Sequence, residues 1–180
     1  LDASGRLVVC EHAGRRVSRG ECARPSETVS LATAWAGKRL NSPNDVVVHS
    51  SGAIFFTDPT YGMDTGRVPA FGSPGQRQEL DFQGVYRIAA GGALELTIAE
   101  GFSQPNGLAF SPDESELYVV ESRAEPHRKL WAYRVDANGA LGLILLLDQV
   151  PRNVFRNSAH AFATDPLARE YADRAIAAGF

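Results

Sequence analysis

A tight turn followed by a β-rich run recurs three times along these 180 residues, a second hairpin follows each copy, and a Pro-Asn turn occurs twice. Together these recurrences predict an all-β fold, a β-propeller with about three four-stranded blades present. Repeats of roughly 40 to 50 residues that each spell four short strands are the mark of sheets packed around an axis.

The first copy, residues 2–12, opens on the turn cluster Asp2-Ala3-Ser4-Gly5 and continues into a strand through Leu7, Val8 and Val9. The second, 49–58, passes from His49-Ser50-Ser51-Gly52 into Ile54-Phe55-Phe56-Thr57-Asp58, and the third, 111–121, from Ser111-Pro112-Asp113-Glu114 into Leu117-Tyr118-Val119-Val120-Glu121. The hairpins behind them are expected at 15–19 with 28–32, at 84–89 with 93–99, and at 130–136 with 140–147. Their clearest turn chemistry is Ala90-Gly91-Gly92 and Asp136-Ala137-Asn138-Gly139. The wider gap between the second and third copies is filled by a Gly- and Pro-containing insertion at 61–83.

The Pro-Asn turns open the second and third units. Asn41-Ser42-Pro43-Asn44-Asp45 leads into Val46-Val47-Val48, and Gln104-Pro105-Asn106-Gly107 leads into Leu108-Ala109-Phe110, with Asn44 and Asn106 62 positions apart. Proline fixes its own φ and biases its predecessor to extended shapes, and Asn tolerates tight geometry. Each Asn is therefore expected just before a strand. Counting strands up and down places Glu11, His12, Asn44, Asp58, Asn106 and Glu121 on one rim.

The pattern stops near residue 150. Pro151-Arg152-Asn153 falls where a third Pro-Asn turn is due, without the Gly and β-rich run that should follow. The chain accordingly divides into a partial propeller, 1–150, and an atypical tail, 151–180. Asp165-Pro166 and the spacing of Leu167, Tyr171, Ala175 and Ala178 predict a helix within the tail.

Composition narrows the function. With 44% hydrophobic and 22% charged residues and a net charge of −3, the chain resembles neither a disordered segment nor a nucleic-acid binder. No apolar run approaches the roughly 20 residues of a membrane span, so no membrane partner is expected. Cys10 and Cys22 are too few for a disulfide scaffold and too far apart for a CxxC site, which favours a reducing, cytoplasmic setting. The first residue is Leu1 and the only methionine is Met63, so an excerpt of a longer chain is expected and the lack of a leader carries little weight.

Asparagine carbonyls are neutral oxygen donors suited to hard cations, and two of them at equivalent turns are candidate ligands, although a backbone role explains the same repetition. His12 is a candidate base or rim residue. Asp58, followed by Pro59, either binds substrate hydroxyls or starts the turn. Lys38, Arg39, Arg15 and Arg16 read as a solvated basic face. No GxSxG, HExxH, P-loop or EF-hand pattern is present, so no catalytic residue is assigned, and hydrolysis by this chain would need a metal.

Several motifs taken together resemble one family. They are Leu7-Val8-Val9-Cys10-Glu11-His12 with Arg15-Arg16-Val17, Lys38 to Val48, Phe56-Thr57-Asp58-Pro59-Thr60-Tyr61-Gly62, Glu79 to Arg87, and Pro105 to Glu114. Over residues 1 to about 150 the chain is similar to bacterial gluconolactonases of the SMP-30/gluconolactonase/LRE-like family. The resemblance implies a six-bladed propeller of which half is present, a divalent cation in the central channel (Ca²⁺ first, Zn²⁺ or Mg²⁺ as alternatives), and hydrolysis of a sugar lactone. It further implies that Asn44 and Asn106 are metal ligands and that Asp58, Tyr61 and His12 border the substrate. The family's ligating Glu and Asp have no counterpart here, so this chain should hold calcium poorly and turn over a lactone weakly or not at all. The alternatives are a non-catalytic propeller segment acting as a binding module, and a related organophosphate- or strictosidine-type activity. Open blade edges make self-association an expectation as well.

Overall fold

The computed structural model describes residues 1–24, 26–63, 76–99, 101–137, 139 and 141–144. Among them are thirteen strands and no helix. The helix expected in the tail and the strand residues expected beyond 144 lie outside the described residues. No described helix is long and apolar enough to cross a membrane.

The strands form antiparallel sheets in chain order. β1 (Leu7–Glu11), β2 (Arg16–Gly20) and β3 (Thr28–Ala32) make the first. A short hairpin follows, β4 (Ala34–Trp35) with β5 (Lys38–Arg39). β6 (Val46–Val48), β7 (Ile54–Asp58), β8 (Gly84–Ile88) and β9 (Leu94–Ile98) make a four-stranded sheet. β10 (Pro105–Phe110), β11 (Glu116–Glu121), β12 (Lys129–Val135) and β13 (Leu141–Ile144) make another. All-β architecture with hairpin-connected sheets is thus as expected, with three strands rather than four in the first sheet. The β4–β5 hairpin was not expected. Its turn, Ala36-Gly37, takes left-handed φ values of 48° and 81°, the geometry that two-residue hairpins require.

The middle sheet explains how the units stack. β7 and β8 are buried at every position, because side chains alternate between faces and both faces are covered. On one face Ile54, Phe56, Tyr86 and Ile88 pack with Val8, Val17 and Ala32 of the first sheet, and Phe56 stacks on Tyr86 with ring centroids 5.1 Å apart. On the other face Ala53, Phe55 and Val85 pack with Leu108, Leu117, Val119 and Tyr133 of the third sheet. The sheets therefore lie face to face, with β10 against β6 and β7, and β1 against β6.

The three first-hairpin turns reach one shape by different chemistry. Gly5 and Gly52 adopt φ of 75° and 87°, which glycine does without steric cost. The third copy has Glu114 there at φ 58°, and Asp113 Oδ1 holds the loop by accepting hydrogen bonds from Ser111 Oγ and from Ser115 N and Oγ.

Candidate functional site

The two asparagines come together at one end of the strands. Asn44 Nδ2 donates to Asn106 Oδ1 at 2.9 Å, and both residues are half-buried. Asn44 precedes β6 as expected. Asn106 lies inside β10, where the register with β11 shifts between Pro105 and Leu108. That bulge leaves Asn106 and Gly107 without ladder partners and re-aims the side chain.

Thr57 and Asp45 stitch this pair together, and neither stood out in the sequence. Thr57 is fully buried; its carbonyl accepts from Asn44 N at 2.9 Å and its Oγ1 donates to Asn106 O at 2.9 Å. Asp45 N donates to the same Oγ1 at 3.2 Å, and Asp45 Oδ2 accepts from Leu108 N at 2.6 Å. Both turns are thereby referred to one residue of β7. A charge-assisted bond of this kind contributes about 1.5–3 kcal/mol.

Arg15 holds the approach to the first turn. Expected on a solvated face, it is 2% exposed, and its Nε donates to Leu40 O at 2.6 Å and Asn41 O at 3.2 Å. Its Nη1 pairs with Glu79 Oε1 at 3.2 Å, and Glu79 Oε2 accepts from Arg39 N. Lys38 and Arg39 are exposed, as expected.

Asp58, expected to border the substrate, lies inside the protein. It is 0% exposed, with Oδ2 accepting from Asn41 N at 2.7 Å and Oδ1 without a partner. Burial pushes its carboxyl up to about 7, against the pull of the Asn41 and Ser42 N–H groups and Arg15. Arg15 pins the segment 39–41, and Asn41 N of that segment meets Asp58 Oδ2. Through Asn41 N, Asp58 supports the segment that leads into the first turn.

Tyr61 and His12 are less enclosed than Asp58. Tyr61 is half-buried, and its hydroxyl meets Ser122 Oγ, which itself donates to Gln104 O at 2.9 Å. His12 is half-buried just past the end of β1. A Cβ built on Gly62 would stand 3.5 Å from His12 Cβ, so the Tyr61-Gly62 loop adjoins His12. The same Cβ would stand 2.6 Å from Ser42 Cβ, closer than carbon atoms approach, and Gly62 N donates to Ser42 Oγ at 2.9 Å. Glycine is required for this loop to reach the Pro43 turn. Of the other rim residues, Glu11 is held by Arg16 and Ser18, and Glu121 is buried, accepting from Ser103 N and Trp131 Nε1.

Two oxygens on one calcium at about 2.4 Å stand roughly 3 Å apart, so a pair of amide groups 2.9 Å apart fits two adjacent positions once Asn44 turns its oxygen inward. The described residues contain no cluster of three or more His, Cys, Asp or Glu suited to a metal. The two side-chain amides are themselves neutral oxygen donors.

Residues 1–143 match the profile of the SMP-30/Gluconolactonase/LRE-like region. Residues 110–180 match a second profile, that of a bacterial protein of unknown function. A gluconolactonase of Zymomonas mobilis subsp. mobilis is 38% identical over 136 residues, 75% of this chain and 35% of that protein. The solved structure of a gluconolactonase from Xanthomonas campestris superposes with a TM-score of 0.66 at 42% identity, covering 78% of this chain and 44% of that one. A calcium-binding protein, regucalcin, from Agrobacterium tumefaciens shares the fold with a TM-score of 0.55 at 19% identity, covering 82% of this chain and 42% of that one. The chain spans about a third of the curated relative and under half of these solved structures. With the first profile covering most of its length, the chain belongs to the SMP-30/gluconolactonase/LRE-like family.

Proposed function

We propose that this chain carries part of the site of a metal-dependent sugar-lactone hydrolase, the paired amides of Asn44 and Asn106 supplying two oxygens for a divalent cation, calcium first. The observation that carries the reading is the 2.9 Å Asn44–Asn106 contact at one end of adjacent sheets. Gluconolactonase relatives support the lactone substrate, and the calcium-binding protein with the same fold supports the ion. On this reading residues 1–150 form about three blades of a propeller, which has six in the family, and 151–180 form a separate tail.

When bound there, the cation supplies polarisation of a carbonyl oxygen. The chain's own residues do the rest of what is present. Asn44 and Asn106 fix the ion, Thr57 and Asp45 hold their spacing, and Tyr61 and His12 border the lactone. Asp58 keeps the first turn in place from below. Because two neutral amides add no negative charge, affinity should be weak, roughly millimolar.

Lactone hydrolysis releases an acid, so turnover is read by titrating the protons released from D-glucono-1,5-lactone in excess of its spontaneous hydrolysis without protein. Slow, calcium-dependent acid release that a chelator and Asn44→Ala both remove is expected. Excess release that is unchanged by chelator and by Asn44→Ala would exclude the metal site, and no excess over the protein-free rate at saturating calcium would favour a non-catalytic binding segment.

A further inference from the structure

We propose that Gln104 is the positioning residue of the Asn44–Asn106 pair, its side-chain clamp on Thr60 locking the strand that carries Asn106 to the loop that carries Tyr61. The inference rests on the reading of Asn44 and Asn106 as cation ligands.

Gln104 stands two residues before Asn106 and adopts φ 60°, a left-handed conformation that is unfavourable for any residue with a Cβ. Its amide is used at both ends against one partner: Oε1 accepts from Thr60 N at 3.0 Å, and Nε2 donates to Thr60 Oγ1 at 2.8 Å. This reciprocal pair sets the orientation of the amide, since the reverse would point its NH₂ at the Thr60 N–H. The backbone is held as firmly. Gln104 N donates to Gln83 Oε1 at 3.0 Å, and Gln104 O accepts from Ser122 N at 3.1 Å and from Ser122 Oγ at 2.9 Å. Ser122 Oγ also meets the Tyr61 hydroxyl.

Three segments converge on this residue: the loop after β7, the residue before β8, and the loop after β11. A turn that needed only left-handed backbone would be served by glycine. The glutamine amide adds what glycine lacks, an acceptor for the N–H of Thr60, which is 7% exposed, and a donor to its hydroxyl. Strained backbone of this kind persists where neighbours over-determine it and collects around functional sites. Asn106 inherits its direction from Gln104 through Pro105, whose φ is fixed by its ring.

The test uses the full 180-residue chain, labelled with ¹⁵N, and two readouts. One is the Asn44 side-chain amide resonance, identified by its loss in Asn44→Ala, which reports the bond to Asn106. The other is terbium affinity by luminescence. Gln104→Ala and Thr60→Val should both move the Asn44 resonance toward that of a free amide and weaken terbium binding by about tenfold, the low end of the loss seen when a metal ligand's supporting partner is removed. Thr60→Ser, which keeps the hydroxyl, should leave both readouts at wild-type values. If Gln104→Ala does not fold, Thr60→Val against Thr60→Ser decides. An unchanged Asn44 resonance in Gln104→Ala or Thr60→Val overturns the proposal, as does equal loss in Thr60→Ser. If the wild-type chain takes up no terbium, the cation reading fails, and the resonance alone decides the clamp.

Discussion

At the scale of single residues, Asp58 is where burial and charge conflict most openly. Its carboxyl is enclosed and has one oxygen unpartnered, and its value rises to about 7 from an ordinary 3.8. Because the folded value lies above the unfolded one, the folded chain binds the proton more tightly. Its contribution to stability is fully present below the ordinary value and is lost as pH rises to about 7. Asp58→Asn keeps an acceptor for Asn41 N and removes the titration. Melting the two proteins between pH 4 and 8 should show wild type losing stability relative to the variant as pH rises, with the variant at least as stable at pH 8. Parallel curves would contradict the account. The Asn pair was legible in the sequence because the turn repeats. The burial of Asp58 was not, since its contacts are long-range: Asn41 N meets its Oδ2 from 17 positions away, and Arg15 Nε holds that segment through a carbonyl 25 positions away.

At the scale of elements, strands with strong β composition and marked turns were found where the sequence placed them, and what it missed is short or depends on pairing. The β4–β5 hairpin has two residues per strand, too few for any periodicity to show. The bulge that carries Asn106 is a relation between β10 and β11, so it has no signature within β10 alone. Gly62 is an element-scale feature of the same kind, a loop residue whose lack of a side chain matters only because Ser42 lies opposite. Gly62→Ala should cost roughly 1–3 kcal/mol in chemical denaturation, the usual penalty of a carbon forced into filled space. Ser42→Gly in the same chain should return part of that loss, a coupling that a double-mutant cycle measures. Additive effects would mean that the loop does not need the close approach.

At the scale of the molecule, the repeat gave the stacking of sheets before any contact was seen: a sheet buried on both faces needs apolar residues at both parities, and Ile54-Phe55-Phe56 supplies them. The same repeat placed Asn44 and Asn106 at one end, where they meet at 2.9 Å. The lack of charge was legible in the same two residues, whose side chains are neutral amides. On the proposed reading those amides are the described ligands, and the strength of a calcium site follows the number of its anionic ligands. Calorimetric titration of calcium into wild type, Asn106→Ala and Asn106→Asp therefore tests the central claim most directly. The account predicts weak binding by wild type, loss in Asn106→Ala, and binding about tenfold tighter in Asn106→Asp, which adds the missing charge at the same oxygen. Three indistinguishable titrations would contradict it.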